Sequence, residues 1–253
     1  MKNKVLLLTS SFPTKKGGST GVFLYELCRY ICKTDDIKVL TPAFPGSKSF
    51  EIIEGITIKR FNYFYPKKYH RLVHFSGGIR YSLKNSFLAK IQFPFFLISL
   101  LYNTLYELKK EKIKIINTHW LLPQGLIGAI AKIIFGTKHI ASVHGSDINI
   151  IKNSKILIYV ANFICKYSDI IAVNSTFTKT LIEDILHEQH KRIELIPMGV
   201  DKENFFPFDD EIIKNKKVKK QILSVGNLID WKGTKFLVQA MSIVIKKIKH
   251  ISL

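Results

Sequence analysis

Two histidines occupy positions where a polar ligand would be held. His119 sits in Asn117-Thr-His-Trp120 and His144 opens His144-Gly-Ser-Asp147. Each stands at the end of a short apolar run that reads as a buried strand, Ile113–Thr118 and His139–Val143. In open α/β sheets, ligands bind beyond the carboxyl ends of the strands. Two imidazoles at the ends of successive parallel strands are therefore placed to meet a ligand, His144 more so than His119. A zinc site is not indicated, because no third ligand has sensible spacing. Cys28 and Cys32 lie elsewhere, four apart in a helical pattern, and read as two small apolar residues on one helix face.

Two glycine-bounded loops are the other chemical candidates. Phe12-Pro-Thr-Lys-Lys-Gly-Gly-Ser-Thr-Gly21 joins the first strand to the first helix. Glycines such as Gly17 and Gly18 let backbone N–H groups approach a ligand, and a helix N-terminus favours an anion. The spacing is not GxGxxG, and Thr41-Pro42 stands where a dinucleotide fold carries an acid. No Gly-Lys-Ser/Thr follows, so it is not a P-loop. A phosphate cradle and a plain flexible turn remain equal readings. Gly226-Asn-Leu-Ile-Asp-Trp-Lys-Gly233 places Lys232 just before a helix start, which suits a phosphate or a turn. For Asn174-Ser-Thr176, a helix N-cap suffices.

The elements around these loops alternate. Strands at Val5–Ser10, Ile37–Thr41 and Ile56–Phe61 precede an irregular basic and aromatic stretch from 62 to 85. A long helix over Phe87–Lys110 follows, expected to break or kink near Pro94. Its uncharged stretch from Ile91 to Tyr106 is interrupted by polar residues and reads as a buried or interfacial helix. Strands at Ile113, His139, Ile170 and Ile193 then alternate with helices at Pro123–Phe135, Ile156–Lys166 and Thr176–Leu186. The fold class is α/β, a Rossmann-like, doubly wound parallel sheet with helices on both faces. Residues 1–200 form this domain, and 201–220 have linker composition. From 221 a second βα unit begins with a strand over Gln221–Val225 and a helix over Thr234–Lys247. The 33 residues from 221 to 253 are too few for a domain of roughly 100 residues or more.

The chain has 253 residues and a formal charge of +20. At 47% apolar it is not disordered. The surplus predicts an anionic partner. No carboxylate lies between Glu54 and Glu107, while Lys59, Arg60, Lys67, Lys68, Arg71, Arg80, Lys84 and Lys90 do. A second lysine run spans Lys214 to Lys220. Three readings stand for the basic, aromatic segment: an anionic membrane face, RNA, or lysines that only solubilise. No RRM, KH or helix-turn-helix signature supports nucleic acid. Three cysteines fit a reducing, cytoplasmic compartment. The apolar run Val5–Leu8 is too short for a signal peptide.

Together these motifs resemble the GT-B glycosyltransferases, specifically the retaining family 4 group. The resemblance rests on Gly17-Gly18 before a helix, Thr118-His119, Val143-His-Gly-Ser-Asp147, Ile196-Pro-Met-Gly-Val-Asp201 with Phe205 and Pro207, and Leu223 to Gly233. It implies a domain that binds the acceptor, a glycan or lipid-linked molecule, and a second that binds a nucleotide-sugar donor. It implies transfer without a bound metal. His144 would contact the transferred sugar. Gly17, Gly18, His119 and Asp147 would line the donor side, and Asn227 and Lys232 would meet the diphosphate. The family usually carries Arg where this chain has Asn227, which lacks the charge and the bidentate fork. The family's paired-glutamate motif does not occur before Leu253, so the chain reads as a fragment, inactive alone. Lys67, Lys68, Arg71, Arg80 and Lys84 are expected at a membrane or acceptor surface on the cytoplasmic face. Rival readings are a non-enzymatic sugar- or nucleotide-binding module and a basic nucleic-acid binder.

Overall fold

A computed structural model describes residues 2–13, 21–73, 78–186, 192–202, 205–207, 220–226, 228, 232–248 and 251–252. The chain divides into two compact units, Met1–Val200 and Asp201–Leu253.

The first unit is built on an eight-stranded sheet. Its strands are β1 (Lys4–Leu8), β2 (Asp36–Pro42), β3 (Phe50–Ile53), β4 (Ile56–Phe61), β5 (Ile115–His119), β6 (Lys138–Val143), β7 (Ile170–Val173) and β8 (Ile193–Leu195), in the order β3-β4-β2-β1-β5-β6-β7-β8. All neighbours pair in parallel except β3 with β4. Apolar runs such as Leu6-Leu7-Leu8 form strands buried on both faces, as a covered parallel sheet requires. The helices are α1 (Val22–Ile31), α2 (Gly78–Asn85), α3 (Phe87–Glu111), α4 (Leu126–Phe135), α5 (Ile148–Ile151), α6 (Lys155–Lys166) and α7 (Thr176–Glu183). From central β1 the chain first builds β2 and β4 on one side, then crosses to β5 on the other. That reversal opens a crevice beyond the carboxyl ends of β1 and β5.

Several expectations are corrected. The first strand ends at Leu8, not Ser10. The antiparallel edge strand β3 was not expected. Its sequence Phe-Glu-Ile-Ile puts apolar residues on both faces, with Phe50 and Ile52 exposed and Glu51 and Ile53 half-buried, and it joins β4 through Glu54-Gly55, both at positive φ. Helix α3 runs unbroken through Pro94. Pro94 is exposed in the first half of the helix, and Phe96 and Leu100 pack the opposite side into the core. The stretch from 62 is less irregular than its composition suggests. His70 is buried, its Nδ1 and Nε2 lie 2.9 and 2.8 Å from the Ala43 and Phe64 carbonyl oxygens, and its ring stacks on Tyr63.

In the second unit the strand expected over Gln221–Val225 is confined to β9 (Lys220–Gln221), paired in parallel with β10 (Ile251–Ser252). An apolar run becomes a strand only where a partner and a covering face exist, and Leu223 and Val225 are exposed. The helix of this unit, α8 (Thr234–Lys247), has the expected bounds.

Candidate functional site

The parallel sheet brings the two histidines together. His119 is the last residue of β5, and His144 follows β6 directly. Nδ1 of His119 lies 3.0 Å from Nε2 of His144. The ring centroids are 5.2 Å apart and the ring planes lie within 17° of parallel, so the rings meet edge to edge through that bond. His119 is buried and His144 half-buried. Two aromatic rings enclose His144: Phe23 of α1 at 5.3 Å and Trp120 at 4.9 Å. Trp120 has φ 72°, a strained conformation for a bulky residue, with its N–H bonded to the Ser142 carbonyl at 2.9 Å.

Burial sets the charge of this pair. Removal from water pushes His144 down to about 4. Burial, then repulsion from His144, holds His119 well below its ordinary value. Both rings are neutral at pH 7, so one donates to the other. Nε2 of His119 is buried with no partner among the described residues. A buried N–H without an acceptor is rarer than an unsatisfied acceptor. The His119 proton is therefore assigned to Nδ1, which donates to Nε2 of His144. The His144 proton then sits on Nδ1. The pair can hydrogen-bond a neutral hydroxyl but is not a proton donor near neutral pH.

A second layer fixes the strand ends. Asp147 accepts from the backbone N–H of Leu121 at 3.0 Å and of Ile148 at 3.2 Å. Burial raises its carboxyl, and those amides oppose the rise. Its carboxylate therefore ties the loop after β6 to the loop after β5. Beneath the pair, His139 is buried. Its Nδ1 faces the Tyr167 carbonyl at 3.2 Å and so carries the proton, and its Nε2 accepts from the Thr118 hydroxyl at 2.9 Å. Gly128 makes room for it, since a Cβ there would lie 2.3 Å from His139 Nε2.

The first glycine loop is anchored at both described ends. Gly21 has φ 71°, and a Cβ would stand 2.6 Å from the Ser11 carbonyl oxygen. Arg60 is buried, donates to the Pro13 carbonyl at 3.0 Å and pairs with Glu51. Gly17 and Gly18 lie outside the described residues, as does Asn227. Lys232 is exposed in the second unit, one residue before Gly233, the N-cap of α8. Lys68, Arg71, Arg80 and Lys84 are exposed and Lys67 half-buried, between β4 and α3.

Sequence reasoning placed His119 and His144, and Gly21 as the end of the first glycine loop, but missed Phe23, His139 and Gly128. Gly21 carried a signal, a glycine directly before a helical stripe. Phe23 carried none, because it meets the histidines only through the fold. Arg60 and Lys59 were counted in the charge of the basic, aromatic segment. Arg60 is buried, and Lys59 pairs with buried Glu107 at 2.6 Å. Among the described residues no group of three or more His, Cys, Asp or Glu could hold a metal.

The crevice at the strand reversal, closed by loops carrying the site, defines a Rossmann-like half of the GT-B class. The chain belongs to Glycosyltransferase Family 4, whose family model matches residues 17–204. It is 31% identical over 134 residues to an uncharacterised glycosyltransferase of Methanocaldococcus jannaschii, covering 53% of this chain and 35% of the relative. A second glycosyltransferase of that organism is 26% identical over 174 residues, 61% of this chain and 41% of the relative. Among solved structures, Anabaena HepE in complex with UDP-glucose has a TM-score of 0.59 at 16% identity, covering 98% of this chain and 59% of that one. An E. coli trehalose-6-phosphate structure bound with UDP-2-fluoro glucose has a TM-score of 0.60 at 14% identity, covering 98% and 63%. The chain thus spans well under half of the two curated relatives and about three fifths of these structures.

Proposed function

We propose that this chain supplies the acceptor-side domain of a retaining glycosyltransferase. The enzyme would move a sugar from a nucleotide-sugar donor to a glycan or lipid-linked acceptor at the cytoplasmic face of a membrane. The carrying observation is the neutral His119–His144 pair at the strand reversal of a family 4 chain. That HepE and the E. coli neighbour were solved with UDP-sugars supports a nucleotide-sugar donor.

The residues have distinct work in this reading. His144, neutral and enclosed by Phe23 and Trp120, hydrogen-bonds a hydroxyl of the transferred sugar and fixes the reacting carbon. His119 holds the His144 tautomer. Asp147 holds the two loops in register. Lys232 meets the donor diphosphate and stabilises the charge that develops on it as the sugar leaves.

The test joins this chain to the donor domain of a family 4 relative and offers a panel of nucleotide sugars. The expected result is a glycoside with the donor's anomeric configuration by proton NMR. An inverted product, or donor binding without transfer, would overturn the reading.

A further inference from the structure

Helix α3 carries two unlike faces. One packs inward through Ala89, Gln92, Phe96, Leu100, Thr104 and Leu108. The other exposes Phe87, Ile91, Phe95, Ile98, Tyr102 and Tyr106. At about 100° per residue these six fall in one stripe about 100° wide, roughly opposite the core face. With about 1.5 Å rise per residue the stripe is about 29 Å long. Phe87 is 78% exposed, Ile98 67% and Tyr102 66%, and no carboxylate falls within the stripe.

The neighbouring surface is cationic. Buried Gln92 accepts from the Arg71 backbone N–H at 2.9 Å and donates to the Tyr69 carbonyl at 2.6 Å. Phe64 packs edge-on to Phe95. The loop carrying Lys67, Lys68 and Arg71 is thereby pinned beside the first half of the stripe. Helix α2, which packs on α3, adds Arg80 and Lys84, and Lys90 lies on α3 itself. Because β4 is parallel to β1 and β5, this loop leaves the same edge of the sheet as the histidine pair.

We propose that the outward stripe of α3 and its cationic border form the surface on which this protein lies on an anionic bilayer. By length and composition α3 could cross a membrane. Its inward face rules that out, because buried Glu107 is ion-paired with Lys38 and Lys59, each at 2.6 Å, and Gln92 is committed to the loop. Crossing would break those contacts, whereas lying in the interface keeps them. Aromatic rings then sit at headgroup depth, and cations on their border meet lipid phosphates. The assignment rests on the membrane-face part of the proposed function and is independent of the transfer chemistry.

The test is sedimentation of the 253-residue chain with vesicles of phosphatidylcholine alone or mixed with phosphatidylglycerol. The wild type should partition onto the anionic vesicles. Phe95→Ser/Ile98→Ser/Tyr102→Ser should bind them on the order of 10-fold more weakly with an unchanged melt. Lys68→Ala/Arg80→Ala/Lys84→Ala should lose the preference for anionic lipid. In a milder variant, Ile98→Trp, brominated lipid should quench fluorescence beyond the wild-type level. Quenching of the Ile98→Trp variant no greater than that of wild type, or a stripe variant that binds like wild type, would overturn the surface assigned here. Loss of self-association in the stripe variant, with no vesicle binding by either protein, would assign the stripe to a second copy. A wild type that ignores both vesicles would overturn the membrane-face reading itself and leave the transfer reading untouched.

Discussion

The His119 and His144 rings share one hydrogen bond, Nδ1 to Nε2 at 3.0 Å, and their planes lie within 17° of parallel. The geometry comes from parallel pairing of β5 with β6, which aligns His119 with Ser142 and leaves His144 just past the strand end. Two imidazoles so close cannot both be charged. Burial keeps each neutral, with Phe23 and Trp120 packed around His144, and repulsion from His144 adds to the effect at His119.

Nitrogen-15 NMR checks this directly. His144 should remain neutral through pH 6, with Nδ1 protonated, and titrate near pH 4. A midpoint near the ordinary histidine value would show an open, solvated site instead.

The buried histidines make the fold acid-sensitive. Burial lowers His119, His139 and His144 in the folded state, His139 and His144 to about 4. In the unfolded chain they titrate near 6.5, so below that pH the unfolded state binds more protons. Their stabilising contribution is complete above pH 6.5 and is lost as pH falls through about 4. For His139 alone the loss is on the order of 3 kcal/mol. Denaturant midpoints measured from pH 8 to 4 should fall across that window, and His139→Gln should reduce the fall.

Gly128→Ala should destabilise the first unit. The added methyl would sit 2.3 Å from His139 Nε2 and 2.7 Å from Thr118 Cγ2, in a strand-helix contact with no room to give. Overpacking of this kind costs about 1–3 kcal/mol. Thermal melts of the variant should show it, while Gly136→Ala, with open space around its Cβ, loses only what its positive φ demands.

Arg60→Met should cost about 3–5 kcal/mol, because it leaves Glu51 unpaired and the Pro13 carbonyl without its donor. Urea unfolding measures this, and Arg60→Met/Glu51→Leu should recover part of the loss. An Arg60→Met variant as stable as wild type would show that the pair does not hold the loop.

The parallel strands were legible because each is a short apolar run between turn signals, and strand ends then located His119 and His144. Strand β3 was not legible, because Phe50 to Ile53 is a short edge segment whose apolar residues fall on both faces, so its sequence does not alternate. That omission had a consequence: Glu51 stands on β3, so its partner Arg60 was counted only as charge of the basic segment. Lys59 misled for a related reason, since its partner Glu107 lies 48 residues away on α3. Phe23 was hidden because its role depends on where α1 packs. The cationic border of α3 was visible as composition, but the outward stripe emerged only when Gln92 and Glu107 fixed which way the helix faces.

In the proposed reaction His144 holds the transferred sugar. The most direct measurement is kcat/KM for sugar transfer by the donor-domain-extended chain, comparing wild type with His144→Ala. The expected loss is on the order of 100-fold, carried mainly by kcat. The residual product should keep the donor's anomeric configuration, and the melting temperature should be unchanged. Transfer at the wild-type rate by a folded His144→Ala protein would contradict that role for His144.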